Sequence, residues 1–314
     1  MNNQEIYRAF SEGNRQILIF QTPLWLDAVV GKNNWEVAIS HKGKNITGAL
    51  PYVTSKRLGF FQVTIPILTY YLGPIFFYPN DLNEDNKISF QRKTLLELIS
   101  QLPKTDRFVT QTDFNFDYWL PFYWNGFKQT TRYTYILSTQ RDLETIFNTF
   151  KPTLKKAINK ASETFRISEG EIINTLYELH KEDYNSKGLK TAFTQRELDK
   201  IDVKIKNENL RLILEATDAK NEVIAAIYLL KDAQYFHYMF GAVDSKNRST
   251  GVMSQLIWAA IQEAKKQNLG FNFGGSMNKN IEQYFSGFKA TLKPYMRISK
   301  ISNSLLKPFT YFGH

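Results

Sequence analysis

Arg248 stands three residues before Gly251 in the run Val243-Asp244-Ser245-Lys246-Asn247-Arg248-Ser249-Thr250-Gly251-Val252-Met253-Ser254. That spacing suits anion capture. A glycine lets the backbone approach a ligand closely, exposed amides at the start of the following helix point toward it, and an arginine adds a charge-assisted bond. Such a loop can hold a pyrophosphate. Taken alone, an Arg-x-x-Gly loop is more often a plain helix start, so its weight comes from where it sits in the chain.

Further candidates lie around it. His237 is the only histidine on an expected central strand, and an imidazole titrates where a general base should; the plainer reading is a buried histidine in an aromatic sheet. Asp244 could act as a base or cap the loop before Arg248, and capping is favoured. Ser276 and Asn278 follow Gly275 at a strand end, where ligands collect in open sheets, with loop capping as the alternative. Lys151, Lys155, Lys156 and Lys160 fall on one helical face, either as a solvated surface or as a contact for anionic lipid or nucleic acid.

Composition removes several classes. The chain has no cysteine, which excludes disulfides, thiol catalysis and thiolate metal sites. Its four histidines, His41, His180, His237 and His314, show no ligand spacing, so no metal is expected. The net charge of +10 favours an anionic partner such as a nucleotide, RNA, an anionic membrane surface or a cell-wall precursor. The polar opening and the lack of any apolar run of roughly 18 residues predict a cytoplasmic protein with no transmembrane segment.

The elements that must position these residues follow from periodicity. Strands are expected at 16–20, 35–40, 45–53, 69–76, 107–112 and 127–137, with helices at 23–29 and 89–100 and a shorter one at 118–124. From residue 141 the expected order is helices at 142–150 and 152–161, a strand at 165–168, and helices at 171–186 and 195–206. Strands at 211–216, 222–230 and 235–243 come next, then a helix at 251–267, a strand at 270–274, a helix at 280–285 and a strand at 292–298.

The chain also repeats itself. Asn45-Ile46-Thr47-Gly48-Ala49-Leu50-Pro51-Tyr52 has the texture of Glu222-Val223-Ile224-Ala225-Ala226-Ile227-Tyr228. Tyr71-Leu72-Gly73-Pro74 matches Met239-Phe240-Gly241-Ala242, and Tyr123-Trp124-Asn125-Gly126-Phe127-Lys128 matches Phe285-Ser286-Gly287-Phe288-Lys289. The order is the same in both halves. Each half therefore reads as a twisted mixed sheet flanked by helices, an α/β (α+β) unit, with residues 1–140 and 141–314 as the two domains. Gly126 and Gly287 are expected to cap helices in the left-handed conformation.

The Arg248-to-Gly251 loop, leading from a strand end into a long helix, resembles the acyl-donor signature of the GNAT superfamily, except that Met253 stands where a tiny residue is usual. Phe271-Asn272-Phe273-Gly274-Gly275-Ser276 and Tyr284-Phe285-Ser286-Gly287-Phe288-Lys289, with Leu176-Tyr177-Glu178-Leu179-His180, Lys187-Gly188 and Phe193-Thr194, resemble the double-GNAT group of Fem-type aminoacyltransferases and FemAB-like acetyltransferases. The resemblance implies direct attack of an amine on an activated acyl carbonyl, with acetyl-CoA or another acyl-CoA as donor. It implies donor contacts from Val243 and Arg248 through Ser254, acceptor contacts at Gly275, Ser276 and Asn278, and a proton-donating tyrosine near Tyr284. The acceptor would be a small-molecule or cell-wall-precursor amine.

Two alternatives accompany this reading. One is a Fem-type enzyme using aminoacyl-tRNA on a peptidoglycan precursor. Members of that branch often carry a long antiparallel helical arm, for which no heptad pattern stands out here. The other is a catalytically silent double-GNAT scaffold.

Overall fold

The structure, a computed structural model, describes residues 2–171 and 173–306. Helices α1 (Asn3–Ser11) and α2 (Pro23–Val29) precede strands β1 (Trp35–Lys42), β2 (Asn45–Arg57), β3 (Phe60–Thr64) and β4 (Ile75–Phe76). Next come α3 (Glu84–Ser100), β5 (Arg107–Gln111), α4 (Leu120–Trp124) and β6 (Lys128–Leu137). Then follow α5 (Leu143–Thr149), α6 (Pro152–Thr164), β7 (Arg166–Gly170), α7 (Ile173–Ser186) and α8 (Gln195–Asn207). The chain continues with β8 (Arg211–Thr217), β9 (Val223–Lys231), β10 (Tyr235–Val243) and α9 (Val252–Lys266). It closes with β11 (Gly270–Asn272), α10 (Lys279–Phe285) and β12 (Thr291–Ile301).

These elements form two compact units, one of residues 2–132 with 294–306 and one of Tyr133–Lys293. In the first unit the strands run β1-β2-β3-β5-β12, antiparallel except for the parallel β3–β5 pair. Local sequence starts its helices: Asn2 and Glu5 form a capping box on α1, Thr22 caps α2 ahead of Pro23, and Asn83 caps α3. Leu95 and Leu98 of α3 pack with Leu50, Val63, Phe108 and Ile298 as one core.

Three expectations for this unit change. Residues 16–20 form no strand: Ile17, Leu18, Ile19 and Phe20 are all buried in succession, and the chain turns there as a short 3-10 helix, Ile19–Gln21. Strand pairing in 69–76 shrinks to Ile75–Phe76: Pro74 carries no amide donor, and just ahead of the segment Leu68 turns the chain with a positive φ of 53°. A strand is gained at Phe60–Thr64, led in by Leu58 and Gly59, whose positive φ values of 51° and 82° make the tight hairpin turn from β2. Leu58-Gly59 was the available signal, and its leucine concealed it.

In the second unit the order is β6-β11-β10-β9-β8-β7, again mixed, with β10 and β11 parallel. Ile227 and Leu229 of β9 face one apolar cluster with Leu154 and Ile158 of α6 and Leu256, Ile257, Ala260 and Ile261 of α9. Side chains alternate across a strand, so Tyr228 turns to the other face, where its hydroxyl donates to Asp202 of α8 at 3.0 Å. Arg211 Nε lies 3.1 Å from the same carboxylate, and its guanidinium also donates to the carbonyls of Gly170 and Glu171. At the chain reversals Gly126 takes φ 79° as expected, but Gly287 lies within the 3-10 turn Ser286–Phe288 and Lys289 takes the left-handed position at φ 54°. Among the described residues no helix is long and apolar enough to cross a membrane, and no three His, Asp or Glu gather as metal ligands.

Breaking a buried ion pair from one side strands the other charge, which costs about 3 to 5 kcal/mol. Asp202→Ala is therefore expected to lower unfolding free energy in urea by about that amount; a loss below about 1 kcal/mol would show that Arg211 finds other solvation.

Candidate active site

The site begins where two strands part. β10 and β11 pair over only three positions, Tyr235↔Gly270, Phe236↔Phe271 and His237↔Asn272. There β11 ends, while β10 runs on to Val243 alongside β9, with a register shift between Tyr238 and Phe240 that passes over Met239. A fork in the sheet opens beyond His237.

The base of the fork is locked by polar groups that are largely or wholly buried. Asn272 Oδ1 accepts from Thr134 Oγ1 at 2.8 Å and from the Gly274 amide at 2.9 Å, which turns its amide nitrogen toward His237 Nδ1 at 3.2 Å. An accepting Nδ1 leaves the ring proton on Nε2, which donates to Asp232 Oδ2 at 2.9 Å. Asp232 Oδ1 in turn accepts from the amides of Gln234 and Tyr235, both at 2.8 Å. Burial raises the Asp232 carboxyl, but His237 and these hydrogen bonds outweigh it and hold the group below its ordinary value. His237, fully buried with both nitrogens engaged, holds the fork together and offers no lone pair to a substrate.

Past the fork, Gly274 and Gly275 both adopt positive φ, 78° and 68°. A Cβ on Gly275 would sit 2.0 Å from the Tyr133 carbonyl oxygen, so only glycine fits. Ser276 Oγ accepts from the Asn278 amide at 3.0 Å, and Asn278 caps α10 through the amides of Asn280 and Ile281. Both polar side chains therefore shape the loop.

The loop from β10 to α9 is likewise internally braced. Asp244 Oδ1 accepts from the Asn247 amide at 2.8 Å, a turn cap that also occupies its second oxygen with Asn247 Nδ2. Thr250 bonds the Asn247 carbonyl through amide and hydroxyl, while Ser249 is exposed. Arg248 donates to Asp183 at 2.9 Å and Ser186 at 2.6 Å on α7, using one of its nitrogens for both. Gly251 enters α9 at φ 88°, with α6 so close that a Cβ would lie 2.6 Å from the Ala157 carbonyl oxygen. The amides of Met253 and Ser254 open the helix with no preceding helical carbonyl to bond. They carry the positive end of the helix dipole.

Two tyrosines converge on this first turn. Tyr284 Oη lies 3.0 Å from Ser254 Oγ, and Tyr238 Oη lies 4.0 Å from Met253 Sδ. Burial raises both phenols well above the ordinary tyrosine value, with each other's proximity adding to it at Tyr238. Both remain neutral O–H donors at physiological pH. Tyr238 also lies over Gly241, where a Cβ would meet its hydroxyl at 2.8 Å.

The structure thus gathers Tyr284, Met253 and Ser254 at one point and sets Val243, Asp244, Arg248, Ser249, Thr250, Gly251 and Val252 along the adjoining loop. Sequence reasoning missed Tyr238, Asn272 and Asp232. A polar Asn272 between Phe271 and Phe273 was the legible clue, since a buried amide needs partners.

The profile of the Acetyltransferase (GNAT) domain matches residues 148–286, which span the loop, the fork and both tyrosines. Those residues are a GNAT acetyltransferase domain. FemX resembles the whole chain, with a TM-score of 0.70 at 11% identity, covering 99% of this chain and 98% of FemX. L-PGS from Bacillus licheniformis gives 0.55 at 13% over 99% and 95% of the two chains. A tandem GNAT protein from the clavulanic acid biosynthesis pathway gives 0.51 at 8% over 94% and 92%. At such identities the likeness concerns the fold, a tandem GNAT fold. The search of curated proteins returned no match.

A carboxyl held below its ordinary value adds stability that is complete above the unfolded value and lost as pH falls through the folded one. For Asp232 in the GNAT domain the loss therefore belongs below pH 3.8. Asp232→Asn is expected to lower Tm at pH 7 and to flatten the Tm decline in that acid range, read by circular dichroism; an unchanged acid decline would remove Asp232 as its source.

Proposed function

We propose that this GNAT acyltransferase takes its acyl group from acyl-CoA, acetyl-CoA foremost, and transfers it to an amine by direct attack. The supporting observation is the juxtaposition of bare amides at Met253 and Ser254 with the neutral Tyr284 hydroxyl beside the opened strand β10. A pyrophosphate would rest on those amides with Arg248, whose remaining N–H groups are available. Coenzyme A supplies a thioester, an acyl carbon activated toward amines. Backbone groups of β10 near Met239 orient the acyl carbonyl, Tyr284 gives its proton to the departing sulfur, and the proton shed by the amine passes to water. The acceptor lies toward Gly275, Ser276 and Asn278. A cytoplasmic setting, where acyl-CoA is plentiful, goes with this reading. That a tandem GNAT protein is described by its state without AcCoA supports the same donor.

The likeness to FemX favours a second reading, aminoacyl transfer from charged tRNA to a cell-wall precursor. Against it, the longest helix among the described residues is α3, with 17 residues, so no extended helical arm is present there. The silent scaffold draws its support from Met253, whose sulfur packs toward Tyr238 at the same helix start.

Calorimetry should detect saturable CoA binding that weakens about tenfold or more in Arg248→Ala, the scale of a lost charged hydrogen bond. No binding of any acyl-CoA, with aminoacyl transfer from charged tRNA instead, would select the second reading. Tyr284→Phe should reduce kcat about a hundredfold or more while leaving CoA affinity within about twofold. Equal kcat in the two proteins, measured as amide product by mass spectrometry, would dismiss Tyr284 as the proton donor.

A further inference from the structure

The short helix α4 of the first unit carries its largest side chains outward. Pro121 and Phe122 are buried, Phe122 in the core with Leu95 and Leu98 of α3 and with Phe127. Leu120, Tyr123 and Trp124 stand at i, i+3 and i+4 on the other side, 43%, 61% and 51% exposed. Single apolar side chains on a surface need no explanation, whereas three large ones on one turn mark a contact site.

The internal repeat supplies a comparison. Aligning Gly126 with Gly287 sets Leu120, Tyr123 and Trp124 against Ile281, Tyr284 and Phe285 of α10. There the Tyr284 hydroxyl bonds Ser254 and Phe285 is buried in the core, while Gln283, the counterpart of buried Phe122, is exposed. The same short helix turns its two aromatics inward in the second unit and outward in the first. The outward face is also braced: Asn125 Nδ2 donates to the Pro121 carbonyl at 2.8 Å, and the Gly126 amide to the Tyr123 carbonyl at 2.9 Å.

Cations border this face. Lys300 Nζ donates to the Asn125 carbonyl at 2.8 Å, Arg92 Nε donates to the Tyr118 hydroxyl at 3.2 Å, and Lys128 is exposed shortly after Trp124. Lys104 joins Lys300 and Asn125 in lining a cleft of about 500 Å³ with Leu102 and Phe127 on its apolar side. Asp106 lines the cleft too, but it is engaged by the Phe61 amide and Asn303. Asp117 is the carboxylate nearest α4 along the chain. None of the four cations forms an ion pair among the described residues.

We propose that α4 is a membrane-contacting wedge. Leu120, Tyr123 and Trp124 enter the headgroup and outer acyl layer of an anionic membrane, and Arg92, Lys104, Lys128 and Lys300 lie against the lipid phosphates. Tryptophan and tyrosine favour that layer because the ring is apolar and its polar tip stays wet. Cations beside an anionic leaflet add affinity. A second copy of the chain fits less well, since like face on like face would bring the same unpaired cations together. One exposed turn also falls short of the roughly 800 Å² per partner that a stable protein interface buries. Every residue involved belongs to the first unit, so the wedge stands or falls independently of the donor reading in the second.

Sedimentation of the full chain should pull it down with vesicles containing phosphatidylglycerol and leave it in solution with pure phosphatidylcholine vesicles, the binding falling as salt rises. Tyr123→Ser combined with Trp124→Ser should reduce that partitioning about tenfold or more without changing Tm, because both side chains are exposed. Lys128→Gln should weaken it about fivefold. Ile281→Ser, at the matching position of α10, should leave it intact. Lipids brominated in their acyl chains should quench the fluorescence of the parent more than that of Trp124→Phe. Should the double variant melt early, Tyr123→Ser alone is read in its place. Equal sedimentation of parent and double variant, or phosphatidylcholine vesicles bound as tightly as anionic ones, overturns the proposal. So does a parent that binds no vesicles, with or without a dimer that Trp124→Ser separates.

Discussion

The buried contact between His237 and Asn272 is the constraint on which the second unit's site depends. Two parallel strands paired up to this pair of residues and released beyond it make a gap of fixed position, whereas fully paired strands would leave none. Carrying that clasp on uncharged and charged polar groups in the interior is tolerable only because each finds a partner, from Thr134 through Asn272 and His237 to Asp232. An apolar pair would hold the strands together but would not specify where they separate. The histidine that attracts attention as a candidate base is better understood as the rivet of this arrangement.

Rigidity at the fork is matched by rigidity at the helix start. Gly251 lies against the Ala157 carbonyl, and Asp244 ties the preceding turn, so the first amides of α9 hold their direction without a ligand. Amides fixed in advance lose little entropy on meeting an anion, which is the general advantage of preorganisation. Tyr284 and Tyr238 belong to the same frame. Their burial keeps the phenolic protons in place, which suits a donor of hydrogen bonds or of a proton and excludes a phenolate base at neutral pH.

The tandem fold was legible because its signals are local and repeated: hairpin strands with alternating apolar residues, the Asn45 and Glu222 segments in matching positions, and a long amphipathic helix after Gly251. The glycine-led entry from β10 into α9 was legible for the same reason. Partnership was not. Nothing in the spacing of Asp232, His237 and Asn272 says that they meet, since the last of these comes from a strand 35 residues away from the histidine. Strands 69–76 and 16–20 failed because apolar composition was taken for periodicity, whereas prolines and consecutive burial decide those segments. Tyr238 escaped notice because a tyrosine in an aromatic strand has no pattern to distinguish a hydroxyl beside a helix start from one in the packing.

The return of β12 to the first unit has a bearing on how this chain is made. Residues 294–301 supply the neighbour of β5, and Ile298 fills the core beneath it with no exposure. During synthesis the N-terminal part must therefore wait, with that side of β5 bare, until residues 294–301 have been made. A fragment cut at a contiguous boundary, however carefully chosen, would inherit that bare edge permanently, so the two halves are best regarded as separately cored but jointly completed.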